Sequence, residues 1–371
     1  MDTYQKFARV ITLLGVLFLL ASICLAVDTR AIDDVRNKSV LNADDLKVID
    51  EFVRDAIFEL VNTTDFTQIA RQRAVIVNKQ SEQAQYAERY AESLRKYISQ
   101  EFADSQNIED QTKRHRISTN LMILVYQLGN PRLVDIAMNA LDNQDEAVRY
   151  WAVKALTSSE LIGRLNKGGN SVKIDSIVAK LKSIVGTSEP EVLGVMLDLA
   201  AVNDSKAGAE LLPAIADTRI EGYANWTADA SPVDMKVLKM LCEKLQNSRD
   251  GKAEYGRRFA QLYSFAIQRY IVSLGNDNPV WQQNRQQLAS ILVEIEDKCI
   301  GKLTGLTQTL IRRAVETGDV NTLMQERSRL LGDPDAIGAG EIPSKFGFDY
   351  GLAEDGSRLT QPRELAPPPN I

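Results

Sequence analysis

Apolar residues recur at helical spacing along most of the chain. Between Leu133 and Leu141 they occupy positions i, i+3, i+4, i+7 and i+8, which lie on one face of an α-helix. A second stripe with the same spacing begins at Val148 and ends at Leu156. No convincing alternation of apolar and polar residues, the pattern typical of β-strands, interrupts these stripes. The pattern therefore predicts an all-α fold.

Both stripes recur 44 residues further along the chain. The first stripe is reproduced, with Lys180 as its one mismatch, at Ile177, Leu181, Ile184 and Val185. The second stripe is reproduced without a mismatch at Val192, Val195, Met196, Leu199 and Ala200. A third, weaker pair is indicated by Leu211, Leu212 and Ile215, followed by Val233, Val237, Met240, Leu241 and Leu245. Successive helix pairs at a constant interval indicate an internal repeat.

The segment from Asp145 to Leu156 resembles the second helix of a HEAT repeat. It has an acidic start, the pair Val148-Arg149, and then Ala152, Ala155 and Leu156. The interval of 44 residues agrees with the period of about 40–47 residues of such helix pairs. The resemblance is clearest over residues 132–202 and implies a HEAT-like α-solenoid of antiparallel helix pairs that serves as a recognition scaffold. The alternative is an irregular helical bundle in which two neighbouring hairpins happen to match.

The third helix pair contains a long connection, from Thr218 to Ser231, which we interpret as an insertion. Insertions in helical arrays often lie on one face. Tyr223 and Trp226 fall within this segment and are the candidate partner-binding residues, because aromatic side chains often anchor a partner protein. The alternative is that the insertion packs against its own repeat.

The N-terminus has the layout of a secretory signal peptide. Lys6 and Arg9 precede an uncharged run from Val10 to Val27, and a small residue, Ala26, marks the cleavage position. Residues 1–26 are therefore predicted to be removed on export. The same run is just long enough for an uncleaved membrane anchor, so both alternatives stay open. Either one places the body of the protein outside the cytoplasm, as a periplasmic or secreted protein.

The remaining chain divides into three predicted regions. Residues 28–104 form an N-terminal helical region, in which the segment from Gln80 to Lys96 is expected to be an exposed helix, and residues 105–331 form the helical-repeat array. Residues 332–371 are rich in Gly and Pro and are predicted to form an extended tail. Phe346, Phe348 and Tyr350 in this tail indicate either packing onto the array or docking to a partner.

Charge and cysteine content narrow the range of functions that the sequence is compatible with. The formal net charge is −6, and nucleic-acid binding requires a concentrated basic surface, so no nucleic-acid partner is expected. Cleavage after Ala26 leaves Cys242 and Cys299, both on apolar stripes. In an oxidising compartment these two form a candidate disulfide, whereas two buried free thiols would serve as small hydrophobic side chains.

No arrangement of residues predicts a catalytic or metal site. His115 is the single histidine, and together with two cysteines it cannot form an ordinary structural zinc site. No catalytic residues, cofactor or metal ligands are therefore assigned. The leading hypothesis is a non-catalytic exported scaffold that binds a protein partner. One alternative is an extracytoplasmic carboxylate-dependent hydrolase acting on glycan or cell-wall polymer, and the other is a structural envelope protein tethered through an uncleaved N-terminal helix.

Overall fold

The computed structural model describes residues 29–202, 206–276, 278–307, 309–333, 340–351 and 359–369. The regular elements in these ranges are helices, which confirms the all-α prediction. The predicted signal peptide, residues 1–26, lies outside the described residues. Within the described ranges, no helix combines the length and apolar character that crossing a bilayer requires.

The chain forms two compact units, the first ending at Leu128 and the second beginning at Gly129. This division falls later than the predicted boundary between residues 104 and 105. The difference arises because the helix from Gln111 to Leu128 packs against the helices that precede it. The described residues of the predicted tail, from residue 332 onwards, belong to the second unit.

The described part of the first unit, from residue 29 onwards, contains five helices: α1 (Arg30–Val35), α2 (Ala43–Asn62), α3 (Phe66–Asn78), α4 (Ala84–Gln106) and α5 (Gln111–Leu128). Helix α2 begins with a capping box in which Asn42 and Asp45 exchange side-chain and main-chain hydrogen bonds. The segment expected to be an exposed helix is part of α4, which packs on α2. That expectation was wrong because Tyr86 and Tyr90 are buried, and their hydroxyls donate to carbonyls at the end of α3 and just after it.

The second unit contains thirteen helices in its described part. Their bounds are α6 (Val134–Ala140), α7 (Glu146–Thr157), α8 (Ser159–Lys167), α9 (Ser171–Ile184), α10 (Pro190–Val202), α11 (Lys206–Ala224), α12 (Pro232–Asn247), α13 (Lys252–Leu274), α14 (Pro279–Ile295), α15 (Gly301–Thr304), α16 (Leu310–Thr317), α17 (Val320–Leu331) and α18 (Glu341–Phe346). A π-helical turn, Glu296–Ile300, joins α14 to α15. The helices predicted by the stripes and their 44-residue recurrence correspond to α6, α7, α9 and α10.

Packing in the second unit follows two series of neighbouring helices. Helix α7 packs on α10, α10 on α12, and α12 on α14. In the other series, α9 packs on α11, α11 on α13, and α13 on α17. Contacts of α10 with α11 and of α12 with α13 join the two series. The two clearest helix pairs thus contact each other through their second helices, α7 and α10.

Helix α13 lies at the centre of the second unit. It packs against α11, α12, α14, α17 and α18, and most of its length is buried. Its buried residues include polar side chains as well as apolar ones, among them Gln261, Ser264, Gln268 and Arg269. Buried polar groups require hydrogen-bond partners. Some of these hydrogen-bond partners are C-terminal residues of the chain.

Candidate functional site

Tyr223 is not available to a partner. Helix α11 continues to Ala224, so the predicted insertion is shorter than expected and Tyr223 lies on a helix instead of in a loop. Its side chain is 0% exposed, and its hydroxyl donates to Asp234 Oδ2 at 2.9 Å. The predicted placement of Tyr223 in an exposed loop was therefore wrong, because the residue lies on a helix and is part of the core.

Trp226 lies just after α11 and contacts the C-terminal end of the chain. Its φ of 59° is in the left-handed region, which is uncommon for a residue with a large side chain. The indole Nε1 donates to the carbonyl of Ala366 at 2.9 Å. The structure therefore places Trp226 against an extended segment, and that segment belongs to the same chain.

Residues 359–369, here called the C-terminal segment, lie against α13. Gln261 Nε2 donates to the carbonyl of Arg363 at 3.2 Å, and Gln261 Oε1 accepts from the Arg363 amide at 2.8 Å. Seven residues further along the helix, Gln268 Oε1 accepts from the amide of Leu365 at 2.8 Å. In extended backbone the N–H and C=O groups of alternate residues point to the same side. These contacts therefore hold the segment as an extended strand along the helix.

Charged side chains reinforce these main-chain contacts. Arg327 of α17 donates from Nη2 to Glu364 Oε1 at 2.5 Å and from Nε to the Ser264 hydroxyl at 2.8 Å. The Arg327 side chain is only 3% exposed, whereas that of Glu364 is 53% exposed. Arg363 pairs with Glu221 at 2.8 Å, and both of these side chains are about half exposed. Glu364 thus supplies a negative charge to a buried cation, and Arg363 makes a surface contact.

Arg269 fixes the backbone that follows α11, next to the C-terminal segment. Its guanidinium lies 4.5 Å from the ring centre of Tyr223 and 4.4 Å from that of Trp226. It also donates to the carbonyls of Ala228, Gly222 and Tyr223. Burial lowers the pKa of Arg269 to about 10. These contacts hold the backbone after α11 in the conformation that directs the Trp226 indole at Ala366.

We name the resulting surface the tail groove. It is lined by Glu221, Trp226, Gln261, Phe265, Gln268 and Arg327. Three of these side chains, Trp226, Gln261 and Gln268, form hydrogen bonds to main-chain atoms of the C-terminal segment. Contacts to the main chain can be made by an extended peptide of almost any sequence, while Arg327 and Glu221 add preferences for charge.

The sequence did not identify Gln261, Gln268 or Arg327 as site residues. A signal was nevertheless present, since two glutamines seven residues apart fall on one face of a helix otherwise rich in core residues. Two amide side chains buried in register on one helix face would have required partners. Their partner could not be identified, because it lies about 100 residues away in the sequence.

Cys242 and Cys299 lie together in the core of the second unit. Both thiols are free and buried. A hydrogen bond with Cys299 and burial raise the pKa of Cys242, whereas the same hydrogen bond and the charges of Lys302 and Lys239 lower the pKa of Cys299. The structure thus brings the two candidate disulfide residues into contact as thiols.

A surface pocket of about 400 Å³ lies on the first unit. Its lining includes Asp55, Phe58, Tyr97 and Glu101. Arg54 donates to the Asp55 carboxylate at 2.8 Å, and burial together with the charge of Asp104 raises the pKa of Glu101. Asp55 and Glu101, carboxylates of the kind that the hydrolase hypothesis requires, thus line the same pocket.

His115 is exposed at the start of α5. Among the residues that the structure describes, no group of three or more His, Cys, Asp and Glu side chains is arranged to hold a metal ion.

Comparisons with known proteins add little to this description. No protein-family model matches the chain, and the search of curated proteins found no match. A search of solved structures found a chain from "Computational Design of Self-Assembling Cyclic Protein Homooligomers". It is 12% identical, with 77% of this chain and 94% of that chain covered and a TM-score of 0.19. Similarity at that TM-score supports no conclusion about fold or function.

Proposed function

We propose that this protein is a non-catalytic, exported helical-repeat scaffold that binds a partner protein through the tail groove. The two series of stacked helices in the second unit support the α-solenoid part of this proposal. The HEAT-like sequence between residues 132 and 202 supports it independently. Export rests on the signal-peptide pattern of residues 1–26.

The observation that carries the proposal is the hydrogen bonding between α13 and the C-terminal segment. Gln261 and Gln268 present side-chain amides at an interval of seven residues, and each bonds to main-chain atoms of an extended strand. A groove with this chemistry is suited to an extended segment of another protein, since every peptide offers the same main-chain groups. In this proposal the C-terminal segment and the partner use the same contacts.

A capture experiment with the full chain tests the proposal. The wild-type chain and the double variant Gln261→Leu/Gln268→Leu are each crosslinked in an envelope fraction and purified. We expect a stoichiometric partner with the wild type and its loss with the double variant, because leucine cannot bond to the main chain. Gln283→Leu/Gln286→Leu is the matched control, since both glutamines are exposed on α14. Equal recovery of the partner with both double variants would refute binding through the tail groove.

The pocket on the first unit favours a second candidate function, a carboxylate-dependent hydrolase acting on glycan or cell-wall polymer. A raised pKa suits Glu101 to the role of general acid, with Asp55 as the second carboxylate. This candidate predicts that Glu101→Gln lowers the release of reducing ends from such a polymer by about 100-fold or more. The exposed Glu109→Gln serves as control, and a wild-type chain that releases none would exclude the candidate.

A further inference from the structure

We infer that the tail groove selects extended peptides that carry a carboxylate at the place of Glu364, and that the C-terminal segment is a tethered competitor for such peptides. This inference rests on the proposed function, because it names the chemistry of the ligand at the same groove. The occupant to which it applies is an extended segment of a partner protein with a basic residue followed by an acidic one.

The selection for a carboxylate follows from the burial of Arg327. Its side chain is 3% exposed, and Nε is already bonded to the Ser264 hydroxyl. Arg327 forms an ion pair with Glu364, in which Nη2 lies 2.5 Å from Glu364 Oε1. A buried cation that loses its counter-charge is strongly destabilised. A peptide without a carboxylate here would leave Arg327 unpaired, whereas one with a carboxylate would replace Glu364.

The basic residue that precedes the acidic one, at the place of Arg363, is selected only weakly. The Arg363–Glu221 pair is about half exposed on both sides, and exposed ion pairs contribute little to affinity. The cation–π contribution is limited as well, since the Arg363 guanidinium lies 5.9 Å from the Phe265 ring centre, at the outer limit for such a contact. The groove therefore discriminates mainly at the acidic position.

Proline fits the segment where no amide hydrogen bond is made. The amides that bond to α13 are those of Arg363 and Leu365. Pro362 and the run Pro367–Pro369 lie on either side of these residues, and proline has no N–H to donate. Prolines also favour extended backbone, which reduces the entropy lost on binding. A ligand with prolines flanking the acidic core matches this arrangement.

The covalent link makes the C-terminal segment a strong competitor. A segment joined to its own groove has an effective concentration of the order of millimolar. A partner peptide must therefore displace it, and substitutions that weaken the segment should increase binding of a peptide added in trans. Regulation of the groove by its own segment follows from this competition.

The probe is a fluorescent synthetic peptide with the sequence of residues 359–369. It is titrated by anisotropy with the full wild-type chain and with the full-length variant Arg363→Ala/Glu364→Ala, whose own segment is weakened. We expect the variant to bind the peptide at least about 10-fold more tightly than the wild type. A peptide with Glu364→Gln should bind the variant about 10- to 100-fold more weakly than the native peptide. A peptide with Arg363→Ala should lose no more than about 5-fold.

The outcomes separate this inference from the proposed function. Equal affinity of the native and Glu364→Gln peptides would overturn carboxylate selection while leaving a main-chain-binding groove intact. Equal binding by wild type and variant would overturn the competition. No binding of either peptide by a variant with wild-type circular dichroism would overturn the inference, whereas the proposed function is decided separately by capture of a partner. A concentration-dependent wild-type dimer that is absent in Glu364→Ala would assign the groove to the segment of a second copy and overturn the partner peptide.

Discussion

The side-chain amide of Gln261 pairs with both main-chain polar groups of Arg363, donating to its carbonyl and accepting from its amide. This is the hydrogen-bond pattern that a neighbouring β-strand would offer, here supplied by one side chain of a helix. Gln268 extends the pattern to Leu365. A helix of the second unit thus binds an extended chain without any sheet.

The first prediction concerns the attachment of the C-terminal segment. Gln261→Leu/Gln268→Leu removes hydrogen bonds worth about 1 kcal/mol each, so protection of the Arg363 and Leu365 amides from hydrogen exchange should fall about 10- to 100-fold. Hydrogen exchange followed by mass spectrometry measures this directly. The exposed pair Gln283→Leu/Gln286→Leu should leave the protection unchanged, and an equal fall in that control would mean that the effect is not local.

The helices could be predicted from the sequence because their signal is local. The stripes beginning at Leu133 and Val148, with their recurrence at Ile177 and Val192, correspond to helices in the structure. Helix α8 has no counterpart in the 44-residue recurrence and was not predicted. The tail from residue 332 was predicted to be extended, but Glu341–Phe346 form helix α18, whereas residues 359–369 have no regular helix.

The end of α11 could not be predicted because distant contacts determine it. Residues 218–224 stay helical although Thr218 and Gly222 favour a loop. Arg219 and Tyr223 on this last stretch both bond to the Asp234 carboxylate, which lies on the next helix. Hydrophobic spacing gives no information on such a partner, and for the same reason it did not reveal the tail groove.

The second prediction concerns the buried ion pair of Arg219 and Asp234. Arg219 Nε lies 2.6 Å from Asp234 Oδ1, and the two side chains are 6% and 1% exposed. Asp234→Asn leaves a buried cation without its counter-charge, and we expect a loss of about 3 kcal/mol or more in the free energy of unfolding. All three tryptophans lie in the second unit, so urea unfolding followed by tryptophan fluorescence reports on this unit.

The matched control for this pair is Asp217→Asn. Arg258 contacts Asp217 with similar two-point geometry, at 2.8 and 3.0 Å, but the Asp217 side chain is 53% exposed. Breaking a solvated pair should cost less than about 1 kcal/mol. Equal losses of the free energy of unfolding in the two variants would show that burial does not determine how much the Arg219–Asp234 pair contributes to stability.

The third prediction is a loss of stability of the first unit in acid. Burial alone would raise the pKa of Asp50, but hydrogen bonds from Tyr97 and Ser93 and the charge of Lys96 outweigh it and lower the pKa below 3.8. The charged form therefore stabilises the folded state. This contribution is complete above the ordinary pKa of 3.8 and is lost as the pH falls through the lower folded-state value.

Asp50→Asn tests this dependence. In the wild type, protection of α2 and α4 from hydrogen exchange, corrected for intrinsic rates, should decrease on going from neutral pH to below about pH 3. The variant should be less protected at neutral pH and should show a smaller decrease in acid. Glu51→Gln is the control, since its 3.7 Å pair with Lys47 is exposed. An unchanged acid response in Asp50→Asn would refute the role of this carboxylate.

The fourth prediction concerns Cys242 and Cys299. Because both side chains are 2% exposed, their thiols should react with a disulfide reagent only after the protein is unfolded. Unfolded protein purified from its native source should then titrate two thiols if residues 1–26 have been removed and three if Cys24 is retained. A Cys242–Cys299 linked peptide in non-reducing mapping would contradict the expectation of free thiols.

The fifth prediction concerns the packing of the tail on Gly256. A Cβ at this position of α13 would lie 2.5 Å from Cε1 of Phe348, whose side chain is buried against the helix. Alanine is more favourable than glycine in a helix by about 1 kcal/mol. At this position, however, the Phe348 ring must move, and its contact with Tyr350 changes as a result. We expect Gly256→Ala to lower the free energy of unfolding of the second unit by about 1–2 kcal/mol.

Gly163→Ala provides the opposite case within the same unit. Gly163 is in the middle of α8, and a Cβ there would meet no atom within 4 Å. Helix propensity then acts alone, and the substitution should stabilise the unit by up to about 1 kcal/mol. Urea unfolding followed by tryptophan fluorescence compares the two variants under identical conditions. Stabilisation by both would show that Phe348 does not pack tightly on α13, because a loosely held ring could move away at no cost.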